Sequence, residues 1–240
     1  MGTWICHLRV AERLLPRLVE EEVRPLDEVA FAFGSLAPDS GRPNERWDAF
    51  DPPKSVTRFL TPDSSEEDKI EDTRFYEGYL QESDELTTAD YAFALGYFFH
   101  LLCDNLWSRK VWRPTATALA DWLADDADAV ITAVKRDWYG LDHLYVQRTG
   151  DSLFSRVILP HLNPSPPFAF LFEDGLNWRL DHIHVCYSHP PDYDLNRPYA
   201  YLDQRTMQRF VAEATTHLHR IHRAERQRRA GNAEQVTQSR

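Results

Sequence analysis

The chain has 240 residues, 42% of them hydrophobic and 27% charged, enough apolar side chain for one core and one globular domain. Its 38 acidic and 27 basic residues leave a formal charge of -11, which repels a phosphate backbone and argues against generic nucleic-acid binding. Three cysteines, Cys6, Cys103 and Cys186, none in a C-x-x-C pair, argue against a disulfide framework or thiolate zinc site and fit a reducing, cytoplasmic compartment.

Residues 1–18 mix Arg9, Glu12, Arg13 and Arg17 among their apolar positions, so no signal peptide is read. The spacing predicts a first helix after Thr3, with Trp4, His7, Ala11, Leu14 and Leu18 on one stripe and a kink or early end at Pro16. Asp27 is placed to cap a short second helix that stops between Gly34 and Pro38. Segment 39–53, rich in Pro, Gly, Asp and Asn, reads as a long ordered loop anchored by Trp47 and Phe50. An amphipathic, largely solvated helix is expected over 66–82.

Leu86-Thr87-Thr88-Ala89-Asp90 offers a threonine cap for the longest apolar helix, expected to end near Pro114. Its most apolar stretch, 91–103, is shorter than a bilayer requires and carries His100, so it reads as a buried helix and no transmembrane segment is expected. Further helices are expected over 116–148 and 206–229, joined through a Pro-rich interval at 160–167, while the pattern assigns nothing to 182–201. Arg223, Arg226, Arg228 and Arg229 lead into a polar end. The expected organisation is one all-α helical bundle over 1–222, followed by a basic, polar and disordered tail over 223–240. Neither a phosphate-cradling glycine loop nor a Gly-x-Ser-x-Gly elbow occurs.

Phe93, Tyr97, His100, Asp104, Trp107 and Val111 recur at steps of four and three, which puts an imidazole and a carboxylate on a core-facing stripe. Side chains four apart on a helix start roughly 6 Å from one another, so His100 and Asp104 can each reach one metal at about 2 Å. The plain structural alternative is a buried His–Asp hydrogen bond. For His7, on the first stripe, it is a core histidine; for Asp39, in Pro38-Asp39-Ser40-Gly41, it is turn chemistry. Taken together, each unpaired polar group in a core costs on the order of 1–3 kcal/mol, and one shared cation would satisfy all four.

The blocks Trp4-x-x-His7-Leu8, Phe33-Gly34-x-x-Ala37-Pro38-Asp39-Ser40-Gly41, Pro52-Pro53-Lys54-x-Val56-Thr57 and Leu95-Gly96-Tyr97-Phe98-x-His100-Leu101-x-x-Asp104-x-Leu106-Trp107 resemble the zinc-dependent phospholipase C family, especially its intracellular bacterial branch. The likeness is densest over 1–112 and continues weakly through 137–142. It implies a single-domain helical bundle of the phospholipase C type that holds one or two Zn²⁺ ions, with Mn²⁺ or Mg²⁺ also suited to oxygen-rich ligation. It implies His7, Asp39, His100 and Asp104 as ligands, with Asp142, beside Asp137 and His143, as a candidate for a further one. Where the family has a histidine after its Val-Thr pair, this chain has Arg58, a cation that repels metal and attracts phosphate. In secreted relatives the tryptophan begins the mature chain and its amine binds metal, whereas Met1-Gly2-Thr3 precede Trp4 here.

The function so implied is a metal-dependent hydrolase of phosphoric esters, a phospholipase C-like phosphodiesterase or a relation of it, with metal-activated water as nucleophile. Arg58 would grip the phosphate, and Asp39 would serve as ligand or general base. The partner would be a small phosphate ester or a phospholipid head group. A reading from a different class is a non-catalytic helical binding or scaffold protein with a degenerate metal centre, in which His100 and Asp104 hold helices in register.

Overall fold

The computed structural model describes residues 2–21, 25–61, 70–81, 83–160 and 162–238. Helix α1, Trp4–Glu21, buries Ile5, Leu8, Leu14 and Leu18 on one face and runs on past the exposed Pro16, so the expected early end does not occur. Helix α2, Glu28–Gly34, starts where Asp27 accepts the amide of Ala30 at 2.9 Å, as its capping sequence predicts. A short 3-10 turn, Ala37–Asp39, follows.

Segment 39–53 is more ordered than a plain loop. Strands β1, Arg42–Pro43, and β2, Phe50–Asp51, pair antiparallel, and Asn44 closes the bend between them by accepting the amides of Asp48 and Ala49. Helix α3, Lys54–Thr57, then delivers Arg58 at its C-terminal end. Of the helix expected over 66–82, the described part is α4, Asp72–Tyr79; residues 66–69 and 82 lie outside the described residues.

Helix α5, Thr88–Trp107, is the central element, capped by the Thr87 side chain on the amide of Asp90 at 3.1 Å. It does not stop at Pro114. A π-turn at Ser108–Trp112 passes directly into α6, Arg113–Ala118, where Pro114 occupies the first turn, the position at which a missing N–H costs a helix nothing. Helices α7, Ala120–Asp125, and α8, Ala127–Arg148, divide the expected 116–148 helix at Asp126, which caps α8. Helix α9, Glu173–Ser188, covers the first part of the unassigned interval. Helix α10, Gln204–Gln238, continues past 222. Its Arg226 donates to the carbonyl of Glu21 at 2.9 Å, and Arg229 reaches Ser83 and Asp84. The basic stretch read as the start of a tail is therefore, through Arg229, docked on the bundle.

Among the described residues the fold is all-α apart from the two-residue strands, and no described helix is long and apolar enough to cross a membrane. Two glycines set its tightest crossing. A Cβ on Gly34 would overlap the carbonyl of Phe93, and one on Gly96 would overlap the carbonyl of Phe31. Helices α2 and α5 thus meet backbone to backbone, which carries the Ala37–Asp39 turn to the side of α5 that bears His100 and Asp104.

Candidate metal centre

Four separate segments converge on one buried point. Helix α1 presents His7, the turn after α2 presents Asp39, the end of α3 presents Arg58, and α5 presents His100 and Asp104. His7, His100 and Asp104 are exposed by 2% or less. His7 Nε2 lies 3.2 Å from Asp104 Oδ1, and His100 Nε2 lies 3.4 Å from Asp104 Oδ2. The two imidazoles stack with centroids 3.7 Å apart. One ligand atom from each of the three residues lies within 4.8 Å of the others.

The protonation of these rings is set by their surroundings. His100 Nδ1 is 2.8 Å from the carbonyl oxygen of Ser35, and an oxygen that can only accept requires the proton on Nδ1. That leaves Nε2 as the ring nitrogen turned to Asp104, the orientation that metal-binding histidines obtain from a backbone acceptor. Burial, reinforced by His100, lowers His7 to about 4, so its ring is neutral at pH 7. Burial opposes the charge on Asp104, yet the two histidines hold its carboxyl well below the usual range. Gly2 donates its backbone N–H to Asp104 Oδ1 at 2.7 Å.

His7 Nε2, His100 Nε2 and Asp104 Oδ2 are all buried and make no hydrogen bond. Buried polar atoms without partners are uncommon and costly, and here three of them point at one another. Two imidazole nitrogens and a carboxylate oxygen are a donor set suited to a divalent transition ion, so these residues fit a metal.

Asp39 stands beside this triad with both oxygens engaged. Its Oδ2 accepts from Trp4 Nε1 at 2.8 Å and its Oδ1 accepts from Arg58 Nη2, while His100 Nε2 is 3.9 Å from Oδ1. Burial opposes its ionisation, but Arg58 and His100 bring the carboxyl down to about 2, which leaves a weak base at neutral pH. Its contacts make Asp39 the partner of Arg58 rather than a free ligand or general base. Arg58 is 4% exposed, and its second terminal nitrogen lies 3.7 Å from Asp104 Oδ2. The guanidinium offsets one of the two buried carboxylates. The charge that remains is what a cation between His7 and His100 would balance.

Asp142 does not join the cluster. Its oxygens accept from Thr3 Oγ1 and Tyr187 OH, each at 2.8 Å, so the ligand role implied for it is replaced by a buried hydroxyl network. Asp137 is likewise taken up, by Arg197 at 2.6 Å and the amide of Tyr201 at 2.7 Å. Burial pushes the Asp142 carboxyl up to about 7, with a consequence for stability. Between pH 4 and 7 the folded state keeps a proton that the unfolded chain has released, so stability falls as pH rises through that window and is level above it. From 3.8 to about 7, at about 1.4 kcal/mol per unit, the loss is roughly 4 kcal/mol. Asp142→Asn keeps an acceptor for the two hydroxyls and removes the charge. Denaturant unfolding at pH 5 and 8 should show the variant the more stable at pH 8 and its change between the two pH values smaller than the parent's. An identical change in both proteins would mean that Asp142 is ionised in the folded state.

Two contributors carry no motif of their own. Arg179 donates to the carbonyl of Asp39 at 2.6 Å and to that of Gly41 at 3.2 Å, clamping the Asp39 turn onto α9. The Gly2 amide is the other. Arg179 was findable, because it shares a buried helical stripe with Leu176, Leu180 and Ile183, the same anomaly that singles out His100; the Gly2 amide has no signal in the sequence. On α10, His219 pairs with Glu21 at 2.9 Å and His217 meets Arg220.

No family model, curated protein or solved structure matches this chain. What defines the site is its own geometry: a helical bundle with a buried His7–His100–Asp104 triad next to an Arg58–Asp39 ion pair.

Proposed function

We propose that the chain is a metal-dependent hydrolase of phosphoric esters, phospholipase C-like in type, with one divalent ion, zinc in the first place, held by His7, His100 and Asp104. The observation that carries this reading is the convergence of three buried, unbonded ligand atoms on one point, next to a guanidinium whose Nε and Nη1 also lack hydrogen bonds. A bound ion of this kind polarises a phosphoryl oxygen and lowers the pKa of water to near neutrality.

The remaining work falls to the chain's own residues. Ser35 fixes the His100 tautomer through Nδ1, and Gly2 holds one oxygen of Asp104. Asp39 orients Arg58, so that the planar fork presents its free N–H groups to a phosphate, the anion whose geometry it matches. Arg58 and Asp104 both line the wall of one cavity, which puts the phosphate grip and the metal ligand on the same side of the ester.

The test is hydrolysis of soluble phosphate mono- and diesters with zinc, manganese and magnesium in turn. Turnover should depend on one of these ions and stop with chelator. Arg58→Lys keeps the charge but loses the fork, so KM should rise about tenfold or more with a smaller change in kcat; an unchanged KM would remove Arg58 from substrate binding. The scaffold reading draws on the Arg58–Asp39 pair itself, which fills one carboxylate of the site from within the chain. Stoichiometric metal without any ester hydrolysed would favour that reading.

A further inference from the structure

A cavity of about 390 Å³ reaches the candidate centre, with Arg58 and Asp104 in its wall. The rest of its lining has two chemistries. Lys54 and Lys135 bring two more cations to the same space, and neither has an ion pair among the described residues; Lys54 Nζ lies 3.7 Å from the centroid of the Phe50 ring. Facing them are Leu60, Trp112, Val134 and Trp138, an apolar wall of aromatic and branched side chains. Among the cavity's lining residues, Arg58 Nε and Nη1, Ser108 Oγ and Trp138 Nε1 are buried donors without hydrogen bonds.

With Arg58 paired to Asp39, Lys54 and Lys135 against Asp104 still leave the polar end with an excess of positive charge, which suits an anion, and the wall requires that the anion carry an apolar body. The volume lies at the small end of ligand clefts, which run to about 300–1,000 Å³. At roughly 30 Å³ for each water-sized group, it takes about a dozen such groups beyond the wall, enough for an aryl group or one short chain and too few for two long ones.

We propose that this cavity binds an organic phosphate with a single apolar arm, its phosphate meeting Arg58, Lys54 and Lys135 and its aryl or alkyl body lying along Trp112 and Trp138. This names the substrate class of the hydrolase reading above and rests on that reading for turnover, though not for binding. The phosphate of a soluble ester and that of a single-chain lipid present the same chemistry to the site.

The experiment measures binding to the purified full chain by tryptophan fluorescence and calorimetry, with 1-naphthyl phosphate, inorganic phosphate and 1-naphthol as probes. Naphthyl phosphate should bind at least about tenfold more tightly than either fragment. Lys135→Glu, a change at an exposed side chain, should weaken both phosphate probes about tenfold and leave naphthol unchanged. Ile131→Trp, which fills the cavity from its partly exposed side, should erase the margin of naphthyl phosphate over inorganic phosphate. Equal affinity for those two probes in the parent, or no loss in Lys135→Glu, overturns the proposal. Phosphatidylcholine vesicles doped with lysophosphatidate separate the sources: retention on them assigns a lipid, and its absence a soluble ester. Binding with the predicted margin but no hydrolysis under any metal would keep the pocket and sink the hydrolase reading, whereas hydrolysis without the margin would do the reverse.

Discussion

Asp104→Asn is expected to cut ester hydrolysis by about a thousandfold or more while leaving the helical circular dichroism in place. The carboxylate is the one charged member of the triad, and His7 and His100 both lean on it at 3.2 and 3.4 Å. An amide there has the same volume and still accepts the Gly2 N–H, so the bundle keeps its shape. What disappears is the negative charge that a cation needs in a buried place, and a metal that supplies several kcal/mol of transition-state stabilisation is lost with it, at about 1.4 kcal/mol per factor of ten. Asp104→Ala should behave differently, because it also leaves buried donors facing a void. A cost of about 3–5 kcal/mol is expected from breaking a buried charged cluster by removing one member, read as a lower denaturation midpoint. If Asp104→Asn retained parental turnover under chelation control, the hydrolysis would come from elsewhere.

The second large effect is structural. Gly96→Val should lower stability by about 3 kcal/mol or more, with Gly34→Ala close behind, because in each case the new side chain meets a helix backbone that has no rotamer to give way. Overpacking ordinarily costs about 1–3 kcal/mol, and a clash with backbone lies at the upper end. The consequence reaches the metal site: pushing α2 from α5 carries Ser35 off His100 Nδ1 and Asp39 away from Arg58. Gly78→Ala, in the exposed last turn of α4, where a Cβ meets nothing within 4 Å, is the control and should be neutral or slightly stabilising. Equal midpoints for Gly96→Val and the control would contradict the backbone crossing.

Much of this arrangement is legible in the sequence wherever a polar side chain breaks an apolar period. His100 and Asp104 stand on a stripe that is otherwise Phe93, Tyr97, Trp107 and Val111, and His7 does so beside Leu14 and Leu18; all three are buried together. Capping was equally readable, at Asp27 and at Thr87, since a short side chain followed by helix formers has a local physical meaning. The failures share a different cause. Local rules give a kink or early end at Pro16 and an end near Pro114, yet helical residues run past both, because tertiary packing can outweigh the backbone hydrogen bond that a proline removes. Asp142 is a candidate ligand only through the family resemblance, whereas its partners, Thr3 and Tyr187, lie 139 and 45 residues away. Asp39 lies beside the triad paired with Arg58, and whether a carboxylate is free or already paired depends on a guanidinium that only the folded chain brings to it.

Arg58 is the residue on which these threads meet. In sequence it stands where the resembling family has a histidine, and in the structure it pairs with Asp39 and lies 3.7 Å from Asp104.

The decisive measurement is therefore metal stoichiometry. Protein stripped with chelator, dialysed, and titrated with Zn²⁺ in a calorimeter should bind one ion per chain, released again by chelator, and both His100→Ala and Asp104→Asn should bind none at that site. A parent that takes up no ion, or variants that bind as the parent does, would contradict the central claim that His7, His100 and Asp104 are brought together to hold a cation.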